Sequence, residues 1–395
     1  MRILFCNFEY PPLGGGGGVI NALLAEELAQ RHPVTVLTSR GFGLPRDSVE
    51  QGVRVLRVPV WARRSEAAAS MLSMLSYVLR APLEGGRHLR STMYDVINTH
   101  FVLPSGPVGD ALSRSRGIPN VLSVHGGDLY DPSKSTSPHR HALLRAWIRR
   151  LARRADAVVG QSHNTLQNLR RYYTPEIAGR CIPLGIRRPP ADRASRESLG
   201  LNPDDILMVT VGRLVSRKAV HQLIELAGRL GDPRVRLLVI GSGPMEASLR
   251  AQALQLGTGG RVRFLGRLEE ADKFRVLHAC DLFVSSSQHE GFGIVFLEAM
   301  ASGLPVICYD HGGQTDFLSD GVTGHLVALN DIPALVDRCA RLVRDGELRW
   351  RMREHNLRAV EEFYIDRCAK QYEELFEAVI RERRDRPGAA HRNGT

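Results

Sequence analysis

The sequence predicts an α/β protein made of two doubly wound, Rossmann-like domains facing across a cleft. Three observations carry this. Short apolar runs alternate with helix-length patterned stretches from end to end of the chain. The runs are almost continuously apolar, as parallel strands covered on both faces must be. The rhythm also stops and restarts once, across a stretch at 184–204 where Gly, Pro, Arg and Asp crowd together.

The first series of strands is expected at 2–7, 34–38, 53–58, 96–98, 120–124 and 157–161, with helices between them, the clearest at 19–31. The second series is expected at 206–212, 235–241, 262–265, 282–285, 306–308 and 324–327. Its helices fit at 219–230, 245–256, 270–279, 294–301, 332–344 and 347–363. The domain division is therefore 1–184, a linker at 185–204, and 205–363. A helix at 364–383 and a disordered tail at 384–395 follow. A length of 395 residues suits this organisation.

Lys and Arg total 53 against 42 Asp and Glu, a net charge of +11. Most of the excess is Arg, which codon preference alone can produce; an anionic ligand or membrane surface would use it. Nucleic acid is not expected as a partner, because no zinc finger, helix-turn-helix or aromatic-interleaved basic strand is present. The six cysteines form no C-x-x-C pair and most sit in apolar runs, as in a reducing compartment. No apolar stretch is long enough for a signal peptide or a membrane span. The expected location is cytoplasmic, with the inner face of a membrane as the alternative.

The segment 61–92 stands apart. Trp61, Met71, Leu72, Met74, Leu75, Tyr77, Val78 and Leu79 are flanked by Arg63, Arg64, Arg80, Arg87 and Arg90. The preferred reading is a helix packed on the domain core. The alternative is a basic helix lying in a membrane interface.

Candidate site residues gather where strands end, since open α/β sheets bind ligands outside their carboxyl ends. The run Gly14–Gly18 follows the first strand, allows positive φ and lets a ligand approach the backbone. It lacks the Gly-Lys-Ser/Thr of a P-loop and the dinucleotide fingerprint. His125, before two glycines, ends another strand. Arg213 and Lys218 follow the first strand of the second series, and paired cations suit a diphosphate. Gly243 lies in a tight Gly-Ser-Gly-Pro turn. His311-Gly312-Gly313-Gln314-Thr315 follows a later strand.

The strongest signal is the stretch from His289 to Gly303, with Glu290 and Glu298 eight positions apart. On one helix they would lie ~12 Å apart along the axis and about 80° around it, too far to share a proton. Gly291 and Gly293 place Glu290 in a loop and the helix start near Ile294. The pair therefore reads as two grips on one long ligand, its carboxylates accepting sugar and ribose hydroxyls. Amides at the helix start face a phosphate between them.

At these residues the sequence resembles glycosyltransferase family 4, the retaining, GT-B-fold family marked by E-x7-E. The anchor is Glu290 to Glu298 within Glu-Gly-Phe-Gly and Leu-Glu-Ala-Met-Ala-Ser-Gly. The Gly-Arg-Leu…Lys element, the Gly-Ser-Gly-Pro turn and the glycine-rich first loop follow in the family's order. The resemblance implies a first domain on the acceptor side, a second holding a UDP- or GDP-sugar, and a last helix returning to the first. It implies catalytic roles for His125, Arg213, Lys218 and Glu290. Donor contacts fall to Gly15, Gly16, Gly17, Gly243, Phe292, Gly293, Ile294, Val295 and Glu298. It implies no metal and no bound cofactor, and fits the lack of an Asp-x-Asp motif at a strand end. The acceptor is a glycan, a lipid-linked glycan or a small molecule, most naturally in cell-envelope or polysaccharide synthesis, by a monomer or homodimer. Retention is implied through a front-face route in which the leaving phosphate takes the acceptor proton. Three positions depart from the family's pattern: Ala219 where Gly is usual, Ser286 where Pro is usual, and 182–187, which lacks the usual Asn and Asp. The rivals are a GT-B epimerase or phosphorylase, and a catalytically inactive sugar-nucleotide-binding protein.

Overall fold

The computed structural model describes residues 1–63, 65, 66, 69–192 and 194–385. The chain divides into two units: Met1–Gly185 with Phe363–Thr395, and Ile186–Glu362.

The first unit is built on β1 (Ile3–Asn7), α1 (Gly16–Ala29), β2 (Val34–Arg40), β3 (Asp47–Glu50), β4 (Val53–Pro59) and α2 (Met71–His88). It continues through β5 (Val96–His100), α3 (Gly106–Arg116), β6 (Asn120–Val124), α4 (Ala142–Arg154), β7 (Ala157–Gly160), α5 (His163–Tyr172) and β8 (Arg180–Cys181). Its sheet has the order β3-β4-β2-β1-β5-β6-β7-β8, parallel except at β3. β1, β5 and β6 are buried along their whole lengths, so their apolar runs are covered on both sides.

The second unit follows the same plan: β9 (Ile206–Val211), α6 (Val220–Arg229), β10 (Val235–Ile240), α7 (Glu246–Gln255), β11 (Val262–Gly266) and α8 (Glu270–Ala279). Then come β12 (Leu282–Val284), α9 (Ile294–Ala301), β13 (Val306–Tyr309), β14 (Gly324–Val327), α10 (Ile332–Arg344) and α11 (Gly346–Ala359). The sheet order is β11-β10-β9-β12-β13-β14, all parallel. A last helix, α12 (Ile365–Asp385), belongs to the first unit. There its Tyr372, Phe376 and Val379 share a core with Ala25 and Leu28 of α1.

In each sheet the strand order reverses once, between β1 and β5 in the first unit and between β9 and β12 in the second. Such switch points splay the neighbouring loops apart and open a crevice at the strands' carboxyl ends.

Three details differ from the sequence expectations. Helix α1 starts at Gly16 with Gly15 as its cap, three residues into the glycine run, because the run's backbone is free to enter a helical turn. Two short strands, β3 and β8, lack the apolar run that would have revealed them. The stretch 186–204, expected as a linker, packs into the second unit: Arg196 pairs with Asp281 at 2.9 Å and Leu201 is buried. Finally, α2 packs on the core as expected, through Tyr77, Ala81 and Met74, but Leu72, Leu75, Leu79 and Leu83 on its other side are exposed. Arg64 of that segment, and 386–395 of the expected tail, lie outside the described residues.

Candidate active site

In the second unit the switch point brings Lys218, after β9, against Glu290, after β12. A 3-10 turn at Ser216–Lys218 turns two cations the same way. The Lys218 ammonium pairs with one Glu290 carboxylate oxygen, and Arg217 reaches the other at 3.3 Å. Arg217 also donates to the His289 carbonyl. Burial works against the ionised carboxyl, but Lys218 and Arg217 outweigh it and hold Glu290 down to about 2. This is a compact +2/−1 cluster at a strand end, with a net positive charge to offer an anion.

Glycines set the spacing around it. The Lys218 stem lies over Gly212, where a Cβ would stand 3.2 Å from Lys218 Cε. A Cβ at Gly241 would fall 2.0 Å from the Gly212 carbonyl oxygen, and one at Gly243 2.4 Å from the Leu214 carbonyl oxygen. The loops after β9 and β10 thus meet backbone to backbone, tied by Leu214 N–H to Ser242 O at 3.0 Å. On the other side Gly313 N–H donates to Glu290 O at 2.8 Å, and a Cβ at Gly313 would lie 2.0 Å from Gly291 O. The His311–Thr315 loop therefore buttresses the loop that carries Glu290.

Helix α9 begins at Ile294 after Gly293, whose φ of +92° suits only glycine, and no side chain caps it. Its first amides, four residues on from Glu290, carry the partial positive charge of a helix N-terminus. One turn further, Glu298 meets Lys273 of α8 at 2.7 Å. Burial pushes the Glu298 carboxyl up, and a single lysine only partly offsets it. The carboxyls of the E-x7-E pair are thus shifted in opposite directions.

In the first unit β1, β5 and β6 end in a polar cluster. His125 follows β6; its imidazole contacts His100 at 3.0 Å and Gln161, and stacks on Phe101 with centroids 4.0 Å apart. Burial lowers both imidazoles, His100 to about 3 and His125 well below the ordinary value, so both are neutral at pH 7. Asp128 fixes the loop by accepting from the His125 amide at 2.9 Å and the Val102 amide at 2.7 Å. Burial still raises its carboxyl to about 6. Phe101 adopts φ +68°, a strained conformation for a non-glycine residue. Its ring explains Gly17, where a Cβ would stand 2.5 Å from Phe101 Cζ. Gly15 and Gly16 have open space beside them, and Glu9 accepts from the Gly15 amide at 3.1 Å.

The structure therefore brings together Lys218, Glu290, Gly293 and the start of α9 in one unit, and His125 with the Gly15–Gly17 turn's neighbour Phe101 in the other. Ile294 and Val295 are half-buried in α9's first turn. Arg213 is exposed and makes no ion pair among the described residues, whereas the neighbouring Arg217 holds Glu290. The Phe292 side chain is buried against Phe317 at 5.1 Å, leaving only its backbone to a ligand. The Gly15 amide is already engaged by a carboxylate, so it is not open to a phosphate in this arrangement. Sequence reasoning missed Arg217, Lys273, His100, Gln161 and Glu9. The strand-end rule alone would have found His100 and Gln161, since both sit at or just past the ends of β5 and β7.

One strand-end site thus gathers paired cations near the start of a helix, and the other gathers neutral imidazoles. Residues 15–185 match the model described as "Glycosyl transferase 4-like domain", and residues 191–358 match "Glycosyl transferases group 1". The chain belongs to the glycosyltransferases of this type, family 4 with the GT-B fold, and is a glycosyltransferase. It is 30% identical over 358 residues to the 2-deoxystreptamine N-acetyl-D-glucosaminyltransferase of Streptomyces fradiae, covering 84% of this chain and 83% of that one. It is 29% identical over 355 residues to the glycogen synthase of Mycobacterium tuberculosis, covering 85% and 84%. The sucrose-phosphate synthase of Thermosynechococcus elongatus shares the fold, with a TM-score of 0.81, 23% identity, and coverage of 97% and 100%.

Proposed function

We propose that this enzyme moves a hexose from a UDP- or GDP-sugar, with retention and without a metal ion, to a glycan, lipid-linked or small-molecule acceptor. The pathway class is envelope or polysaccharide synthesis, and the enzyme works in the cytoplasm, peripheral to an anionic membrane face. The observation that supports this reading best is the Lys218–Glu290–Arg217 cluster beside the uncapped start of α9. An arriving diphosphate draws the two cations and the α9 amides to itself, with Arg213 as a further mobile cation. Glu290 is then released to accept hydrogen bonds from the donor sugar's hydroxyls, while Glu298 accepts from the ribose. These fixed charges supply the leaving-group stabilisation that a metal supplies in other transferases.

The proposed step breaks the bond from the sugar's anomeric carbon to the phosphate oxygen and forms one to the acceptor oxygen on the same face. The acceptor proton passes to the departing phosphate. Neutral His125 serves as a hydrogen-bonding group near the anomeric centre and carries no charge of its own.

The test is a thermal-shift screen of nucleotide-sugars, followed by transfer assays with the stabilising donor, with and without EDTA. Stabilisation by one nucleotide-sugar and EDTA-insensitive transfer with retained configuration are expected. Strong inhibition by EDTA would refute the metal-free reading. Release of a rearranged sugar without acceptor, or dependence on free phosphate, would replace transfer with epimerisation or phosphorolysis.

A further inference from the structure

Asn98, His100 and Ser123 interrupt the apolar runs of β5 and β6, and all three lie on one face of the sheet. They alternate with Ile97 and Leu122 and share the side of Val96 and Val121, the side that α1 and α12 cover. Polar groups in such a place need partners, because an unpaired one is costly to bury. Here the partners form one line. The Tyr372 hydroxyl of α12 lies 3.2 Å from Ser123 Oγ, which donates to Asn98 Oδ1 at 3.2 Å. Asn98 Nδ2 lies 2.8 Å from His100 Nε2, and His100 Nδ1 lies 3.0 Å from His125 Nε2. Gln161 closes the line at His125 Nδ1. Tyr372, Ser123, Asn98 and His100 are all buried.

The line has a direction. Burial pushes the Tyr372 phenol up, so it keeps its proton, and among the described residues Ser123 is its one hydrogen-bond acceptor. The Ser123 proton then goes to the Asn98 carbonyl, which leaves the Asn98 amide N–H groups to face His100. A neutral imidazole has one N–H and one lone pair, and both imidazoles are neutral. His100 Nε2 accepts, so its proton sits on Nδ1 and points at His125 Nε2. His125 Nε2 accepts in turn, and its own proton sits on Nδ1. Reversing the line would leave the buried phenol proton without an acceptor. At the far end Gln161 stands with its amide nitrogen against His125 Nδ1, where an N–H must now be. Its carbonyl oxygen takes that place by a half-turn about the last side-chain bond.

We propose that Tyr372 is a positioning residue, which fixes His125 as the Nδ1–H tautomer through Ser123, Asn98 and His100. His125 Nε2 is committed to the interior by His100, so Nδ1–H is the one polar edge of the ring that can serve a ligand. His125 thus offers a sugar oxygen a hydrogen-bond donor and never an acceptor. The last helix of the chain takes part in the chemistry of the first unit as well as in its packing. The effect on transfer rests on the place proposed above for His125 beside the reacting sugar; the tautomer does not.

The test uses the full chain with isotope-labelled histidine, free of sugar, and long-range proton–nitrogen NMR spectra. His125→Asn and His100→Asn identify the two rings. The wild type should show a protonated Nδ1 and a bare Nε2 at both. In Tyr372→Phe the line loses its fixed end, and His125 should become a mixture of tautomers. Ser123→Ala breaks the next link and should do the same, so the test does not depend on one variant folding. With the nucleotide-sugar that stabilises the wild type, kcat should fall about tenfold in each variant, while the donor KM changes less than about twofold. The double variant should be no slower than the slower single one, because both cut the same line. A lowered melting temperature with the wild-type tautomer and wild-type kcat would make the hydroxyl purely structural and overturn the proposal. So would Nε2–H at His125 in the wild type, or one unchanged tautomer in both variants. A wild type with the expected tautomer that transfers no sugar would instead sink the transfer reading and leave the tautomer standing.

Discussion

Lys218 and Glu290, 72 positions apart in sequence, meet as an ion pair at the switch point of the second sheet, and Arg217 shares the same carboxylate. Both cations lower the buried carboxyl against the effect of burial. Lys218→Ala leaves Glu290 buried with one partner. The expected loss is about 2 kcal/mol in urea unfolding, and transfer falls by about a hundredfold or more. Wild-type turnover in this variant would remove Lys218 from the diphosphate role.

The same cluster sets an acid limit. A carboxyl lowered from 4.5 to about 2 adds stability at neutral pH, above its ordinary value, and loses it as pH falls through that window. Acid unfolding followed by fluorescence should therefore show a component between these values, absent in Glu290→Gln. An identical acid profile in the variant would contradict the assigned charge state.

Ala219 and Ser286, two of the departures from the family's pattern, touch each other. Ala219 sits at φ +46°, a left-handed conformation in which glycine is at ease and alanine is strained. The Ser286 hydroxyl donates to the Ala219 carbonyl at 2.8 Å and lies 3.1 Å from that of Lys218, holding the turn in place. Ala219→Gly should stabilise the protein by about 0.5–1 kcal/mol. Ser286→Ala should cost about 1 kcal/mol. The double variant should show coupling above about 0.5 kcal/mol in thermal unfolding, and strict additivity would separate the two residues.

Lys273 partly offsets the burial that raises the Glu298 carboxyl. Because burial already raises the Glu298 carboxyl, removing Lys273 raises it further. For Lys273→Ala, donor affinity should weaken as pH drops from about 8 to 6, while the wild type changes less. Calorimetric titration at the two pH values checks this, and equal affinities in the variant would show that Glu298 does not act on the donor as an anion.

His125 should stay neutral throughout the physiological range. Its ring resonances, observed by NMR, are expected to stay flat from about pH 8 down to about pH 5, whereas a free imidazole titrates near 6.5. An inflection at the ordinary imidazole value would contradict the burial that lowers it. A step near pH 6 in turnover, if present, should vanish in Asp128→Asn, since burial raises that carboxyl to about 6.

Much of this was legible in the sequence. Strands such as Leu282–Val284 and helices such as Ile294–Ala301 declare themselves because a doubly covered strand is apolar and a glycine pair marks the helix start. Glu290 in a loop and Glu298 on a helix follow from Gly291 and Gly293. What sequence could not carry was pairing over distance. Nothing near Lys273 announces that it faces Glu298, and Arg213 and Arg217 look alike until the 3-10 turn picks one for Glu290. Helix α2 packs on the core as the sequence led us to expect, but which side packs was not legible: Tyr77 with the small residues Ser73, Ser76, Ala81 and Gly85 turns inward, and the leucines face solvent.

The interlocked turns at Gly212, Gly241 and Gly243 have one more consequence. A Cβ at Gly241 or Gly243 would collide with main chain, and one at Gly212 would press on the Lys218 stem. The outer faces of α6 and α7 can drift freely under mutation, but this seam admits no substitution that keeps its geometry. Random mutagenesis of the second unit should therefore return a map in which tolerance is lost along a narrow line of main chain, with permissive positions on either side.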